Sequence, residues 1–115
     1  MSHYEEQYEK WMDEKLSPVL TNDPITANGF LEQAASEMGN RAATYDKPEG
    51  ERSMGKTVAA FNAITGHELT EQQGWQFMEL LKIVRSNQGG YRADSFIDGA
   101  AYAALAGEAA AREWK

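Results

Sequence analysis

The sequence predicts an all-α, single-domain bundle of about five helices, and three observations support that prediction. Ala, Glu and Gln are abundant while β-branched residues are sparse, a composition that favours helices over strands. Apolar residues recur at helical spacing, and no segment alternates apolar and polar residues over the length of a strand. A chain of 115 residues is long enough for one domain with one core.

The first predicted element is an amphipathic helix within residues 1–17, distinct from the helical core predicted over 18–115. Tyr4, Tyr8 and Trp11 recur on one face of this helix, and acidic residues occupy the other. Ser17-Pro18 ends it, because proline lacks a backbone donor and disfavours helical geometry in the residue before it.

The core is predicted to contain four helices, over about 27–43, 53–65, 70–86 and 95–112. Gly66 is placed to end the second of these. Thr70-x-x-Gln73 has the spacing of a capping box and marks the start of the third. That third helix carries apolar residues around most of its circumference, so we expect it at the centre of the bundle.

Composition excludes several classes of function. The chain has no cysteine, which excludes a disulfide scaffold, a thiolate metal site and a cysteine nucleophile. A net charge of −7 argues against binding to duplex nucleic acid, because that affinity comes mostly from neutralising phosphates. No apolar run approaches the length of a membrane span, so we expect a cytoplasmic protein with no membrane partner.

The basic residues are concentrated in the middle of this acidic chain. Residues 1–40 carry two basic and eight acidic side chains, whereas residues 41–92 carry seven basic and six acidic ones. A local basic site on a negative protein suits a small anionic ligand, although ordinary surface charge would give the same distribution. The candidate ligand-binding residues are Arg41, Tyr45, Lys56, Lys82, Arg85 and Arg92, with Tyr45 stacking on a base.

Arg85 is the most specific of these candidates. At 100° per residue it falls between Met78 and Leu81, on the apolar arc of its helix, so we expect it to point inward. A guanidinium in a packed face needs an anion, which is either an internal carboxylate, Asp98 first, or the phosphate of a ligand.

Asp94 and Asp98 form the candidate metal site. They are four residues apart and share one face of the last helix, where two carboxylates can hold Mg²⁺. The competing interpretation is that Asp94 or Ser95 caps the helix and Asp98 meets its dipole. No cofactor other than Mg²⁺ is suggested.

Three motif blocks, taken in order, resemble a small uncharacterised all-α domain family of bacteriophages and prophages. They are Arg41-x3-Tyr45-Asp46-x-Pro48-Glu49, Leu81-Lys82-x2-Arg85 and Asp94-Ser95-x2-Asp98-x3-Tyr102. The resemblance covers about residues 27–107 and implies a viral protein in a bacterial cytoplasm. A more distant likeness is to MazG-type nucleotide pyrophosphohydrolases, which hold Mg²⁺ over a triphosphate; their E-x-x-E spacing is not met by Glu32 and Glu37.

Three functions follow as hypotheses. The first is a non-catalytic protein that binds a nucleotide-type ligand and thereby sequesters a nucleotide signal of bacterial antiviral defence. The second is a Mg²⁺-dependent pyrophosphohydrolase that uses Asp94 and Asp98 with Glu32 or Glu79. The third is an inhibitor that presents the acidic residues 1–40 to a host protein. A homo-oligomer is expected in the first case, because Trp11 and the Ala-rich last helix offer apolar surface.

Overall fold

The computed structural model describes residues 23–45 and 53–114, with the backbone alone over 41–45. The described chain is an all-α single domain, and it contains no strand in those ranges. Its helices are α1 (Ala27–Tyr45), α2 (Ser53–Thr65), α3 (Glu71–Ser86) and α4 (Ala93–Glu113). The four core helices are thereby confirmed, whereas the amphipathic helix predicted within residues 1–17 lies outside the described residues.

The junction between α2 and α3 follows from local sequence. Gly66 ends α2 with φ of +78°, a conformation that glycine adopts without a steric penalty. Thr70 and Gln73 form the predicted capping box: Oγ1 of Thr70 accepts from the Gln73 amide at 3.1 Å, and the Thr70 amide donates to Oε1 of Gln73 at 3.0 Å. The Asn62 side chain bonds both the amide and the carbonyl of Leu69, which holds the turn against α2.

Helices α3 and α4 form an antiparallel pair. Glu71 at the start of α3 binds Arg112 at the end of α4, with Oε1 and Nη2 3.2 Å apart. Between the ends, the rings of Trp75 and Tyr102 stack with centroids 5.8 Å apart. Trp75 is only 3% exposed, and this stack is the middle of the main core cluster.

Small residues on α4 let its neighbours approach. Ala106 and Ala109 are buried in the cluster around Trp75, and Ala93 packs with Ala34 of α1 and Ile97 in a second cluster. These alanines pack inside the chain, whereas Ala103, Ala104 and Ala111 of the same helix are exposed.

The prediction that the helix over 70–86 lies at the bundle centre was wrong. One side of α3 packs on α4, and Gly74 packs on Met54 and Val58 of α2. The opposite side is apolar and open, and we call it the outer face of α3. Its members are Phe77 (69% exposed), Leu80 (59%), Ile83 (50%) and Val84 (52%).

No described helix is both long and apolar enough to cross a bilayer.

Candidate functional site

The turn between α3 and α4 gathers more of the candidate residues than any other part of the described chain. Arg85 lies in the last turn of α3, and Arg92 is the N-cap of α4. The Asn87 side-chain amide donates to the Ile83 carbonyl at 3.0 Å, and Gly89 takes φ of +67° to reverse the chain. The turn therefore holds both arginines at one end of the α3–α4 pair.

Arg85 does not point inward, which corrects the expectation from its helical position. The residue is exposed, and it forms no ion pair with any residue in the described ranges. The apolar arc of α3 spans both a packed and an open side, so falling on that arc did not imply burial. Arg85 lies in the last turn of α3, where its positive charge interacts favourably with the helix dipole. The N–H donors of its guanidinium group stay available to an anion.

The inward cation of α3 is Lys82. Its Nζ lies 2.9 Å from Oδ2 of Asp98, and the two side chains are 13% and 22% exposed. Lys82 packs its aliphatic stem beside Gly99 of α4, where an added Cβ would lie 3.8 Å from the Lys82 Cβ. The internal carboxylate that we considered for Arg85 is therefore bound to Lys82 instead.

The start of α4 also differs from both sequence interpretations. Neither Asp94 nor Ser95 is the N-cap; Arg92 occupies that position, with extended backbone and no side-chain cap hydrogen bond. Asp94 is exposed in the first turn, whereas Ser95 is buried. The first turn of α4 thus keeps the partial positive charge of its backbone amides beside the Arg92 guanidinium, with Asp94 as the one acidic residue of that turn.

An aromatic side chain at this turn was missed by sequence reasoning. Tyr91 is 58% exposed, and its ring stacks on Phe96 with centroids 6.0 Å apart. Phe96 in turn meets Phe30 of α1 edge-on at 6.2 Å. The ring of Tyr91 is therefore supported from behind and open to a ligand. The signal in the sequence was its position between Gly89-Gly90 and Arg92.

The remaining basic candidates are not brought to this turn. Lys56 is exposed on α2, which packs against Gly74 in the first half of α3. Gly74 and Arg85 are about 16 Å apart along the helix axis. The side chains of Arg41 and Tyr45 lie outside the described part of the structure.

The carboxylates do not form a metal centre among the described residues, where no three or more His, Asp or Glu side chains come together as a cation site. Asp94 and Asp98 are one helical turn apart, but Asp98 is held by Lys82. A cation at this pair would share Asp98 with the Lys82 ammonium, whose positive charge would repel it.

A family model described as a domain of unknown function, DUF6378, matches residues 30–110. The chain belongs to this family. The DUF6378 match takes in α2, α3, the turn between α3 and α4, and most of α1 and α4. It confirms the expected membership of an uncharacterised family, over nearly the range that the motif blocks indicated. Searches of curated proteins and of solved structures gave no match.

Proposed function

We propose that this DUF6378 protein binds a nucleotide-type phosphate ligand without turning it over, at the turn between α3 and α4. The observation that carries the proposal is the pair of exposed arginines at that turn. Arg85 and Arg92 form no ion pair with described residues, whereas Lys82 is neutralised by Asp98. We call Arg85, Tyr91 and Arg92 the turn site.

The charges at the turn site favour an anion. The turn carries two guanidinium groups and the N-terminal amides of α4, and Asp94 is the one acidic residue in the first turn of that helix, so the turn is locally positive on a chain of net charge −7. Each guanidinium presents paired donors that match two phosphate oxygens. Free amides at a helix N-terminus bind phosphate in the same way.

The exposed ring of Tyr91 favours a nucleotide over inorganic phosphate. Stacking of a base on an aromatic side chain contributes about 1–3 kcal/mol, and Phe96 fixes the orientation of the Tyr91 ring. Tyr91 thereby takes the role that the sequence analysis gave to Tyr45. Because the site is open to solvent, its phosphate contacts are screened, and binding weakens as salt is raised.

The biological setting of the proposal comes from the resemblance to phage domains. A phage-encoded helical protein that holds an intact nucleotide in the host cytoplasm would remove a signal of antiviral defence. Hydrolysis of the MazG type is the alternative. It would need Mg²⁺ at Asp94 and Asp98, although the Lys82 ammonium already lies 2.9 Å from Oδ2 of Asp98.

A thermal-shift and calorimetric screen tests the proposal. The full chain is titrated with nucleoside mono-, di- and triphosphates, cyclic nucleotides and pyrophosphate, with and without Mg²⁺, and the ligand is then recovered and chromatographed. We expect stabilisation by an intact nucleotide, at least tenfold weaker binding in Arg85→Ala/Arg92→Ala, and unchanged binding in Lys56→Ala. Tyr91→Ala should weaken binding of the nucleotide more than that of pyrophosphate.

Three results would overturn the proposal. If the chain consumes the nucleotide and Asp98→Asn abolishes this consumption, the protein is the pyrophosphohydrolase of the second hypothesis. Equal losses in Lys56→Ala and in the arginine double variant would show non-specific charge attraction. If no nucleotide stabilises the protein or gives a binding heat, the third hypothesis, a protein inhibitor, is favoured.

A further inference from the structure

We infer that the outer face of α3 is a homodimer interface, in which α3 of one copy packs against α3 of a second copy. This surface is distinct from the turn site, and the inference does not rest on ligand binding. The four members of the face are each at least half exposed, although they are among the largest apolar side chains in the described chain. Leaving such a patch in water is unfavourable, so a partner is expected.

The spacing of the outer face is that of a helix-pairing seam. Gln73, Phe77, Leu80, Val84 and Asn87 follow one another at intervals of four, three, four and three residues. This alternation is the heptad pattern by which two helices interlock their side chains. The apolar residues occupy the middle of the seam, and one amide side chain occupies each end.

The symmetry of the seam and its uncharged flanks indicate a second copy as the occupant. The charged residues of α3 all lie off the seam, and the flanking positions are uncharged; these flanking residues are Gly74, Gln76, Leu81 and Ile83. Read in either direction, the seam runs from an amide through three apolar side chains to an amide, so an antiparallel second copy is complementary to it. Two copies of the same uncharged seam meet without repulsion.

The size of the face indicates a reversible dimer. Four side chains at these exposures present on the order of 400 Å² of apolar surface per copy. A standard interface buries about 800 Å² per partner, so the outer face alone makes an interface below the standard size. An interface at the small end of the range dissociates at roughly micromolar concentration.

A two-fold symmetric pair makes a specific geometric prediction. In an antiparallel helix pair the residue midway along the seam lies opposite its own copy, and Leu80 is the middle residue. Helix axes about 8–10 Å apart place two facing Cα atoms within the range that a disulfide spans. Because the chain has no cysteine, a single introduced cysteine reports on this contact alone.

The experiment uses the full chain and a matched leucine. Leu31 on α1 is 60% exposed and Leu80 is 59% exposed, so the two differ in location and not in burial. We expect light scattering after size-exclusion chromatography to give twice 12.8 kDa for the unmodified chain at about 200 μM. Leu31→Ser should leave that mass unchanged, and Leu80→Ser should raise the dimer dissociation constant at least tenfold. Oxidation should link Leu80→Cys into dimers much faster than Leu31→Cys.

Three results would overturn the inference. The first is a monomer at every concentration up to about 500 μM, well above the expected dissociation range. The second is a dimer that Leu80→Ser and Leu31→Ser weaken equally. The third is a thiol in Leu80→Cys that is shielded from a maleimide in the monomer, since it would show that the chain covers this face with its own residues. Circular dichroism of each variant confirms that the helices are retained.

Discussion

Replacing Asp98 with alanine tests whether this carboxylate has a structural role. The substitution leaves the Lys82 ammonium, only 13% exposed, without the oxygen that lies 2.9 Å away. Losing one partner of a fully buried pair costs about 3–5 kcal/mol, and a hydrogen bond to a charged group contributes about 1.5–3 kcal/mol. Since both side chains keep some solvent contact, we expect a loss of about 2 kcal/mol in the free energy of unfolding.

The assay is urea unfolding followed by circular dichroism, with a thermal melt at the same protein concentration. A loss of this size lowers the melting temperature by about 8 °C in a domain of about 100 residues. Asp94→Ala is the matched control, because Asp94 is an exposed carboxylate on the same helical face. It should lose no more than about 1 kcal/mol, the contribution of an acidic residue to the helix dipole.

A double-mutant cycle with Lys82→Met completes the test, because methionine keeps much of the aliphatic stem and removes the charge. We expect a coupling energy of at least about 1 kcal/mol between positions 82 and 98. Equal losses in Asp98→Ala and Asp94→Ala, with no coupling to Lys82, would refute the structural role.

Three further predictions concern the scaffold, and each is measured by chemical denaturation. Gly74→Ala should destabilise the protein by about 1–2 kcal/mol, because the added Cβ would lie 2.8 Å from Cγ1 of Val58 on α2. Gly107→Ala has open space around it and should stabilise the protein by about 0.5–1 kcal/mol. The reverse order of stabilities would contradict the close approach of α2 and α3. Thr70→Ala should lose about 1 kcal/mol with the capping box, and Thr70→Ser should retain most of it. Asn62→Ala should lose about 1–2 kcal/mol, because two backbone groups of Leu69 lose their partner; an unchanged stability would show that water replaces both bonds.

The helices could be predicted from the sequence because their ends are set by local chemistry. The capping box at Thr70 and the left-handed Gly66 act within a few residues, so reading the sequence locates them. The start of α4 was predicted at residue 95, two residues late, because a capping side chain was expected there. The structure begins α4 at Ala93, after an extended Arg92 that makes no side-chain cap.

The packing of α3 could not be predicted from its periodicity. When a helix is apolar around nearly its whole circumference, its sequence does not show which side faces the core. For α3 the contacts with α2 and α4 determine the buried side. Trp75 and Val84 lie about 180° apart on the helix, and only Trp75 is buried. The same ambiguity misplaced Arg85 inside, whereas Lys82, about 20° from Trp75 around the helix, lies on the packed side and binds Asp98.

Of the candidate site, the sequence predicted residues but not their grouping. Arg85 and Arg92 are joined by a turn that the sequence indicated, yet the importance of Tyr91 depends on its stack on Phe96, a contact between a loop and a helix. Lys56 was included on charge alone, and charge does not reveal that α2 packs at the other end of α3.

An NMR titration tests the central claim most directly. Backbone amide shifts of the full chain are followed while a nucleoside triphosphate is added at low salt. If the turn between α3 and α4 binds the phosphates, the largest shifts will fall between Arg85 and Phe96 and will vanish in Arg85→Ala/Arg92→Ala. Shifts centred on α1 or α2, or none at saturating nucleotide, would contradict it.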